Sequence, residues 1–401
     1  MPKPISRRTL LSRTVGATAI LAPSAAVLSM VSCGTPESTP SSVAGEWIFV
    51  GPYTRGTSEG IYRLRFNADD GTLGEPELAA ATPSPSFLAA HPSGTYIYAV
   101  NELSEFQGQP GGAVTAFAVN RDTGELSEIN AVSSKGGGPC HLLLTPDGKV
   151  LIVANYGAGS TVSYTIGDNG ALSEAVSVIQ HTGSGPNERR QKAPHAHGIA
   201  IRPVGDTMLA HVADLGIDKV LHFEIGSDGS LKPWSVQDAV ALAPGAGPRH
   251  VVTHPNAPLA FVINELDSTL TSFRIDANTG VWTEAATVSS LPASFEGDNT
   301  TAEVALHPNG RIVYGSNRGH DSIATFAADT ATGQMSVVGL TSTEGKQPRN
   351  FAVHPNGRFL IAANQSSGNL TVFSIDAATG LPSFTGNSVA LDMPVCVLFM
   401  G

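Results

Sequence analysis

Four side chains with chemical potential stand at similar places in repeated strand-like segments of this sequence. Arg249 and Glu265 open and close "PRHVVTHPNAPLAFVINE", His197 lies in "PHAHG", and Arg318 lies in "SNRG". A histidine titrates near neutral pH and can move a proton. Arginines bind carboxylate or phosphate through paired hydrogen bonds and stabilise developing negative charge. If the fold brings these residues together, they form an acid–base and anion-binding set.

The elements that would position them are internal repeats. Each repeat reads as a strand, a turn containing proline, and a second strand that ends in a polar residue. The six repeats are Pro85–Glu102, Pro139–Tyr156, Pro194–Asp214, Pro248–Glu265, Ala302–Arg318 and Pro348–Gln365. Their turn prolines are Pro92, Pro146, Pro203, Pro255, Pro308 and Pro355. This spacing of about fifty residues predicts propeller blades of four strands each.

The polar residues keep a fixed distance from the turn prolines. Ten residues after the proline stand Glu102, Tyr156, Glu265 and Arg318; six residues before it stand His197, Arg249 and Arg349. Because paired strands are antiparallel, both sets fall at the same end of the sheet. The first strand of a propeller blade is innermost, so these residues are expected to ring one mouth of the central channel. Arg249 and Glu265, symmetric about Ala257, are expected to be near cross-strand neighbours.

Simpler interpretations of the same residues stay open. Arg249 and Glu265 could be a structural ion pair, and a histidine at a strand end often only satisfies local hydrogen bonds. His141, His195 and His250 lie slightly off the register of the ring and are secondary candidates for substrate binding. The basic run "NERRQK" reads as a solvated loop that could also reach the mouth. The histidines beside the turn prolines, His91, His254 and His354, are interpreted as structural.

The chain ends supply the remaining blade. "EWIFVGPYT" and "GIYRLRFNADDGTLGE" provide a second, third and fourth strand, while "MPVCVLFMG" has the pattern of a first strand. We therefore predict an all-β fold, a seven-bladed β-propeller of four-stranded blades, whose C-terminal strand completes the N-terminal blade. An open solenoid is the alternative, but it would leave two sheet edges unprotected.

Residues 1–33 differ from the rest. "SRRTLLSR" precedes an uncharged apolar run that ends in "MVSC", which predicts a twin-arginine-type export signal and a lipoprotein-like cleavage site. We expect an exported protein of the cell envelope, attached to the membrane through a lipid on Cys33 if that cysteine is modified. Residues 34–45 are expected to be a flexible linker and residues 46–401 the propeller. Cys140 and Cys396 are expected to be buried free thiols.

The net charge of −11 argues against a nucleic-acid partner. "GGPCHLLLTPDG", "APHAHG", "GAGPRHVVTHPN", "VINEL", "FEGDNTTAEV" and "SNRGHDSIATF" resemble the seven-bladed propeller lactonases of the 6-phosphogluconolactonase type, a family that includes fungal carboxy-muconate cyclases. The likeness runs from about Trp47 to the C-terminus. It implies a lactone substrate and a pocket in which His197, Arg249, Glu265 and Arg318 are catalytic.

Opening a lactone needs activated water, a stabilised oxyanion and a proton for the alkoxide. The resemblance gives His197 and Glu265 the acid–base work and Arg249 and Arg318 the anion clamp. Arg349, Glu102 and Tyr156 join the secondary histidines as substrate-binding candidates. We expect a monomer that uses no cofactor. We also expect no metal, because an arginine-rich mouth disfavours a hard cation. A calcium-dependent lactonase, a lactone-forming cyclase and a non-catalytic binding propeller are the alternatives. Export leaves open whether the substrate is phosphorylated, since 6-phosphogluconolactone is a cytosolic metabolite.

Overall fold

A computed structural model describes residues 45–400, in which every regular element is a β-strand. The predicted export signal, Cys33 and nearly all of the predicted linker lie outside the described residues. Within residues 45–400 there is no helix of the length and apolar character needed to cross a membrane.

Residues 45–400 form thirty-one strands. The first ten are β1 (Glu46–Pro52), β2 (Gly60–Phe66), β3 (Glu77–Ala81), β4 (Phe87–Ala90), β5 (Tyr96–Asn101), β6 (Glu105–Phe106), β7 (Gln109–Pro110), β8 (Ala113–Val119), β9 (Leu126–Ser133) and β10 (Pro139–Leu144). The next ten are β11 (Val150–Asn155), β12 (Ser160–Thr165), β13 (Ser177–Gln180), β14 (Ala196–Val204), β15 (Thr207–Asp214), β16 (Lys219–Ile225), β17 (Leu231–Pro233), β18 (Ala239–Ala241), β19 (Pro248–Thr253) and β20 (Leu259–Asn264). The last eleven are β21 (Thr269–Ile275), β22 (Trp282–Ser289), β23 (Thr300–Leu306), β24 (Ile312–Arg318), β25 (Ser322–Ala328), β26 (Met335–Ser342), β27 (Pro348–Val353), β28 (Phe359–Asn364), β29 (Asn369–Ile375), β30 (Pro382–Ala390) and β31 (Pro394–Phe399).

All of these strands except β6 and β7, which form a separate two-stranded sheet, build seven antiparallel blades. Six follow chain order: β4-β5-β8-β9, β10 to β13, β14 to β17 with β18 also on β16, β19 to β22, β23 to β26, and β27 to β30. The remaining blade has the order β3-β2-β1-β31, so the C-terminal strand does complete the N-terminal blade. The innermost strands are β4, β10, β14, β19, β23, β27 and β31, and each contacts the next around the axis. The predicted fold and its closure are confirmed, and closure removes the open edges that a solenoid would expose.

Local sequence explains the outer hairpins. In the turn between β21 and β22, Asp276 Oδ1 accepts hydrogen bonds from the backbone N–H groups of Asn278 and Thr279, at 3.0 and 2.7 Å. Gly280 completes this turn with φ of 71°, a left-handed conformation that costs glycine little. Gly124 and Gly380 do the same in two other blades. The Asp/Asn-Thr-Gly signal in the sequence therefore marks the third and fourth strands correctly.

Blades are held together by apolar layers between neighbouring sheets. Phe261 of one blade and Phe326 of the next share one such layer and are fully buried; burying each phenyl group contributes about 1.5–3 kcal/mol. Histidines at the turns add polar links, since His91 and His254 each bond through Nε2 to a glycine carbonyl of the next blade. His354 instead reaches Glu46 of the first blade. These three histidines are structural, as the sequence indicated.

Candidate active site

The inner strands carry a β-bulge near one end of the channel, which we call the axial mouth. The register shifts between Pro139 and His141, Pro248 and His250, and Pro348 and Asn350. The extra residues are Cys140, Arg249 and Arg349, and a wider irregularity in β14 includes His197. A bulge interrupts the regular alternation of side chains and can re-aim one of them. The bulges therefore set the direction of the side chains that stand six places before Pro146, Pro255 and Pro355.

A cavity of about 300 Å³ opens at this mouth. We call it the mouth pocket; its lining residues are Glu102, Cys140, Tyr156, Arg190, His197, Glu265, Thr300, Arg318 and Arg349. They come from different blades, so only the closed ring brings them together. The pocket has the size of a site for a small molecule.

Glu265 is the centre of the charge cluster. Arg190 Nη2 donates a hydrogen bond to its Oε1 at 2.7 Å. Arg249 Nε and Arg318 Nη2 lie 3.1 and 3.0 Å from its Oε2 as ion pairs. Burial alone would raise the pKa of Glu265, but Arg318, Arg249 and Arg190 together lower it to about 2. Glu265 is therefore a carboxylate at any working pH, which suits it to hold the arginines rather than to exchange protons.

Arg249 lies behind Glu265 and does not line the mouth pocket. Its Nη1 donates to the carbonyl oxygen of Ala302 at 2.7 Å and to His250 Nε2 at 3.2 Å, and the residue is 3% exposed. Arg249 and Glu265 are neighbours, as predicted, but they do not form a regular cross-strand pair. The ladder pairs Pro248 with Asn264 and then His250 with Ile263, so Arg249 occupies the bulge.

A second carboxylate stands across the pocket. Glu102 Oε2 accepts hydrogen bonds from Ser86 Oγ at 2.6 Å and from Tyr53 Oη at 3.0 Å. The guanidinium of Arg349 lies 5.5 Å from the centre of the Tyr53 ring. Burial raises the pKa of Tyr53 to about 12, with Arg349 opposing and Glu102 adding to the shift. Tyr53 is thus a neutral donor that fixes Glu102.

His197 is buried and uncharged. Its Nδ1 lies 3.7 Å from the Sγ of Cys140, and its ring meets the edge of Tyr156 at 5.5 Å between centroids. Burial lowers the pKa of His197 well below the usual value of 6.5, and the positive charges of Arg249 and Arg349 lower it further. Burial also raises the pKa of the Cys140 thiol. Both cysteines in the described part of the chain are free and buried, as predicted.

The basic run Asn187–Lys192 reaches the mouth. Arg190 Nη2 bonds to Tyr156 Oη at 3.0 Å as well as to Glu265. The loop is anchored by Gln191, whose buried Nε2 donates to the carbonyl oxygen of Leu215 at 2.8 Å and to Asp218 Oδ1 at 2.7 Å. Arg190 is the arginine of this run that lines the mouth pocket, whereas its neighbour Arg189 is exposed.

The secondary histidines fall in two places. His195 does not line the mouth pocket but stacks on Tyr156, with ring centroids 4.4 Å apart. His141 and His250 face a larger cavity of about 600 Å³ that occupies the channel below, which we call the channel cavity. Its walls are mostly apolar side chains and come from all seven inner strands. Neither histidine lines the mouth pocket, so any contact with a substrate there would be indirect.

The overall charge of the site decides its chemistry. Arg190, Arg318 and Arg349 line the mouth pocket together with two carboxylates, Glu265 and Glu102, and Arg249 lies behind Glu265. Burial lowers the pKa of Arg318; Glu265 opposes this shift, and Arg249 and Arg349 add to it. Among residues 45–400 no group of three or more His, Cys, Asp or Glu side chains is arranged to hold a metal ion. The site can bind an anion and stabilise an oxyanion beside a neutral imidazole.

The fold and this site together define a propeller with an arginine-rich pocket on its axis. The seven-bladed β-propeller lactonase family model matches residues 47–399, and the chain belongs to that family. It is 35% identical over 352 residues to the 6-phosphogluconolactonase of Bacillus subtilis, covering 88% of this chain and 97% of that one. The periplasmic gluconolactonase of Pseudomonas aeruginosa is similar in structure, with a TM-score of 0.82 and 32% identity over 89% of this chain and 99% of the other. A Bacteroides fragilis protein has a TM-score of 0.81 and 36% identity, over 90% and 99% respectively.

Sequence reasoning did not single out every pocket residue. Tyr53, which bonds to Glu102 without lining the pocket, follows β1 just as Glu102 follows β5, but its blade has no turn proline from which to count. Arg190 was noticed only as part of a loop, and its reach depends on how the loop folds. Thr300 precedes the bulge of β23 and has no charge to mark it.

Proposed function

We propose that this lactonase hydrolyses a sugar lactone by direct attack of water. The observation that carries the proposal is the mouth pocket itself: one buried neutral histidine beside a carboxylate that holds three arginines. Hydrolysis of a cyclic ester needs both a proton acceptor and stabilised negative charge at the carbonyl oxygen. The relatives named 6-phosphogluconolactonase and gluconolactonase act on this class of substrate according to their names.

His197 serves as the base in this proposal. It accepts a proton from the water whose oxygen attacks the lactone carbonyl carbon. The tetrahedral oxyanion is stabilised by the excess of arginine charge, with Arg318 lining the pocket and Arg249 supporting Glu265. When the ring C–O bond breaks, the alkoxide takes the proton back from His197 and the open hydroxy acid leaves.

The low pKa of His197 makes this base weak in the empty pocket. Two of the causes are the charges of Arg249 and Arg349. A substrate that brings negative charge into the pocket opposes those charges and raises the pKa of His197. Proton transfer is thereby coupled to occupancy, which favours a substrate with a phosphate or carboxylate group over a neutral one.

We propose for Glu265 a role other than the acid–base one expected from the sequence. With a pKa of about 2 it stays ionised and cannot donate a proton. We assign it the task of holding Arg190, Arg249 and Arg318 in place, and we assign the acid–base work to His197 alone.

The test is a pH-stat assay of acid release from glucono-δ-lactone and its 6-phosphate. The proposal expects turnover above spontaneous hydrolysis, abolished in His197→Ala and unchanged by EDTA. A strong preference for the phosphate ester would identify the anion that the arginines bind. Saturable lactone binding without turnover, the same in His197→Ala, would instead identify a binding propeller. Loss of activity with EDTA and its return with Ca²⁺ would overturn the metal-free mechanism.

We also propose that the protein is exported. The support is the twin-arginine pattern at Arg7 and Arg8 ahead of an uncharged apolar run. Cell fractionation should find the protein in the envelope, and Arg7→Lys with Arg8→Lys should keep it in the cytoplasm. Labelling with a radioactive fatty acid, compared with Cys33→Ser, tests attachment through a lipid.

A further inference from the structure

Two buried residues lie directly behind Arg249 and have no part in the chemistry proposed above. His250 Nδ1 and Glu303 Oε1 are 2.8 Å apart, and the two residues are 3% and 8% exposed. Glu303 also accepts hydrogen bonds from Asn350 Nδ2 at 2.6 Å and from the backbone N–H of Val304 at 3.0 Å. Both belong to the layer of side chains that separates the mouth pocket from the channel cavity.

The chemistry of the neighbours determines the tautomer of His250. A guanidinium can only donate hydrogen bonds, so Nε2, which contacts Arg249 Nη1, must carry the lone pair. Asn350 Oδ1 accepts from the Val397 N–H at 2.8 Å, so its Nδ2 points to Glu303 as a donor. Both oxygens of Glu303 therefore accept hydrogen bonds: Oε2 from Asn350, and Oε1 from the Val304 N–H and from His250. The last of these bonds holds the proton of His250 on Nδ1.

Arg249 is fixed by this arrangement from one side and by Glu265 from the other. Its Nη1 is fully used by His250 and Ala302, and its Nε faces Glu265. Within residues 45–400, its Nη2 makes no hydrogen bond. The other tautomer of His250 would present an N–H to Arg249 and repel it.

We infer that Glu303 and His250 are positioning residues that fix the tautomer of His250 and thereby orient Arg249 for the reaction. The inference rests on the proposed lactonase function. Arg249 in turn aligns Glu265, which contacts Arg190 and Arg318. A displacement of His250 or Glu303 would therefore also displace the other arginines. A displacement of about 1 Å in such a group can cost up to 100-fold in rate.

Other groups face His250 but do not supply this control. The rings of His141 and His197 lie 4.9 and 5.0 Å away, and the Phe87 ring lies 5.9 Å away. None of them hydrogen-bonds to either nitrogen of His250. Burial, with Arg249 next, lowers the pKa of His250, so the ring is neutral as the tautomer argument requires.

The chain offers a matched pair of variants. In Glu303→Gln, an N–H of the new glutamine faces an N–H of Asn350, with no acceptor between them. Adding Asn350→Asp supplies an acceptor for the glutamine N–H and moves the negative charge from position 303 to position 350. We expect kcat to fall about 10-fold in the single variant with KM within twofold, and to recover within about threefold in the double variant. Wild-type kcat in Glu303→Gln overturns the inference, as does a folded double variant that recovers nothing.

A second measurement does not depend on activity. Long-range ¹H–¹⁵N NMR of ¹⁵N-histidine-labelled protein, assigned with His250→Gln, reports which ring nitrogen carries the proton. The inference expects His250 protonated on Nδ1 and neutral from pH 6 to 8, whether or not any lactone is turned over. A His250 protonated on Nε2, or titrating near 6.5, overturns the positioning role. A correct tautomer in a protein without lactonase activity would overturn the proposed function only.

Discussion

Arg190 and Glu265 are 75 positions apart in the chain, yet a 2.7 Å hydrogen bond joins them across the mouth of the propeller. Arg190 comes from a loop before β14 and Glu265 from the end of β20. The side chain of Arg190 is 36% exposed, whereas that of Glu265 is 5% exposed. Arg190 is therefore the arginine of the cluster most able to exchange its carboxylate partner for an incoming anion.

Replacing Arg190 by alanine tests that position. We expect KM for an anionic lactone to rise about 10-fold, because a charged hydrogen bond of about 1.5 kcal/mol or more is lost. The change in kcat should be small, since Arg190 contacts neither His197 nor Arg249. Steady-state kinetics will measure both. The control is Arg189→Ala, which removes the same charge from an exposed neighbouring residue and should match the wild type. An equal effect in Arg189→Ala would mean that the net positive charge of the loop, and not the position of Arg190, determines KM.

Replacing Glu265 by glutamine removes the charge that holds three arginines. We expect the unfolding free energy to fall by about 3 kcal/mol, because a buried charge pair is broken from one side. Inorganic phosphate should restore part of this loss by supplying another anion. Denaturant unfolding with and without phosphate gives the comparison. A variant as stable as the wild type and indifferent to phosphate would contradict the arrangement described here.

His197 should set the pH dependence. The base works only when it is neutral, so the rate falls as the pH drops through the pKa of His197. Because this pKa is lowered in the free protein, kcat/KM should stay constant to well below pH 6.5. The corresponding pKa in kcat should be higher, since bound anion opposes Arg249 and Arg349. His197→Gln should lose at least about 100-fold in kcat. An unchanged profile in that variant would exclude His197 as the base.

Cys140 lines the pocket beside His197 and so resembles a cysteine–histidine pair. Burial raises the pKa of the thiol, and the thiolate is the reactive form. Cys140→Ala should therefore keep kcat within about threefold of the wild type. In a Cys33→Ser background, the folded protein should resist thiol reagents at pH 8 and react fully once denatured. Rapid labelling of Cys140 together with loss of activity would support a covalent mechanism instead.

The protein should lose stability in acid because of buried histidines far from the pocket. His211 and His222 join through their Nδ1 atoms at 2.7 Å, and burial lowers the pKa of both, to about 3 for His222. The unfolded chain binds protons at the ordinary value of 6.5 while the folded protein does not. Stability is therefore present above pH 6.5 and falls as pH drops from there towards 3, by up to 1.36 kcal/mol per pH unit for each histidine.

Tryptophan fluorescence can follow this loss, because the rings of His211 and His222 lie 4.6 and 5.0 Å from Trp282. His222→Leu should reduce the slope of stability against pH. The control is His320→Asn, at a partly exposed position. A slope unaffected by His222→Leu would place the acid sensitivity elsewhere.

The sequence determined the ring and its closure, because each blade repeats one pattern of alternating strands and proline or glycine turns. It also determined which residues share the axial mouth, since position within an antiparallel repeat fixes the end of the sheet. His197, Glu265 and Arg318 were placed there from spacing alone. The family resemblance added the chemistry, and family membership agrees with it.

Tertiary structure decided which of these residues face the pocket and in what charge state. Counting along a strand assumes regular alternation, and the bulge at Arg249 breaks it, so that Arg249 lies behind Glu265 and His250 bonds to Glu303 of the next blade. The reach of Arg190 depends on the anchors of its loop. The pKa of Glu265 is lowered by Arg318, Arg249 and Arg190 against the effect of burial, whereas the pKa of His197 is lowered by burial and then by arginines of other blades. Burial and these inter-blade contacts are properties of the packed ring and are absent from any local stretch of sequence.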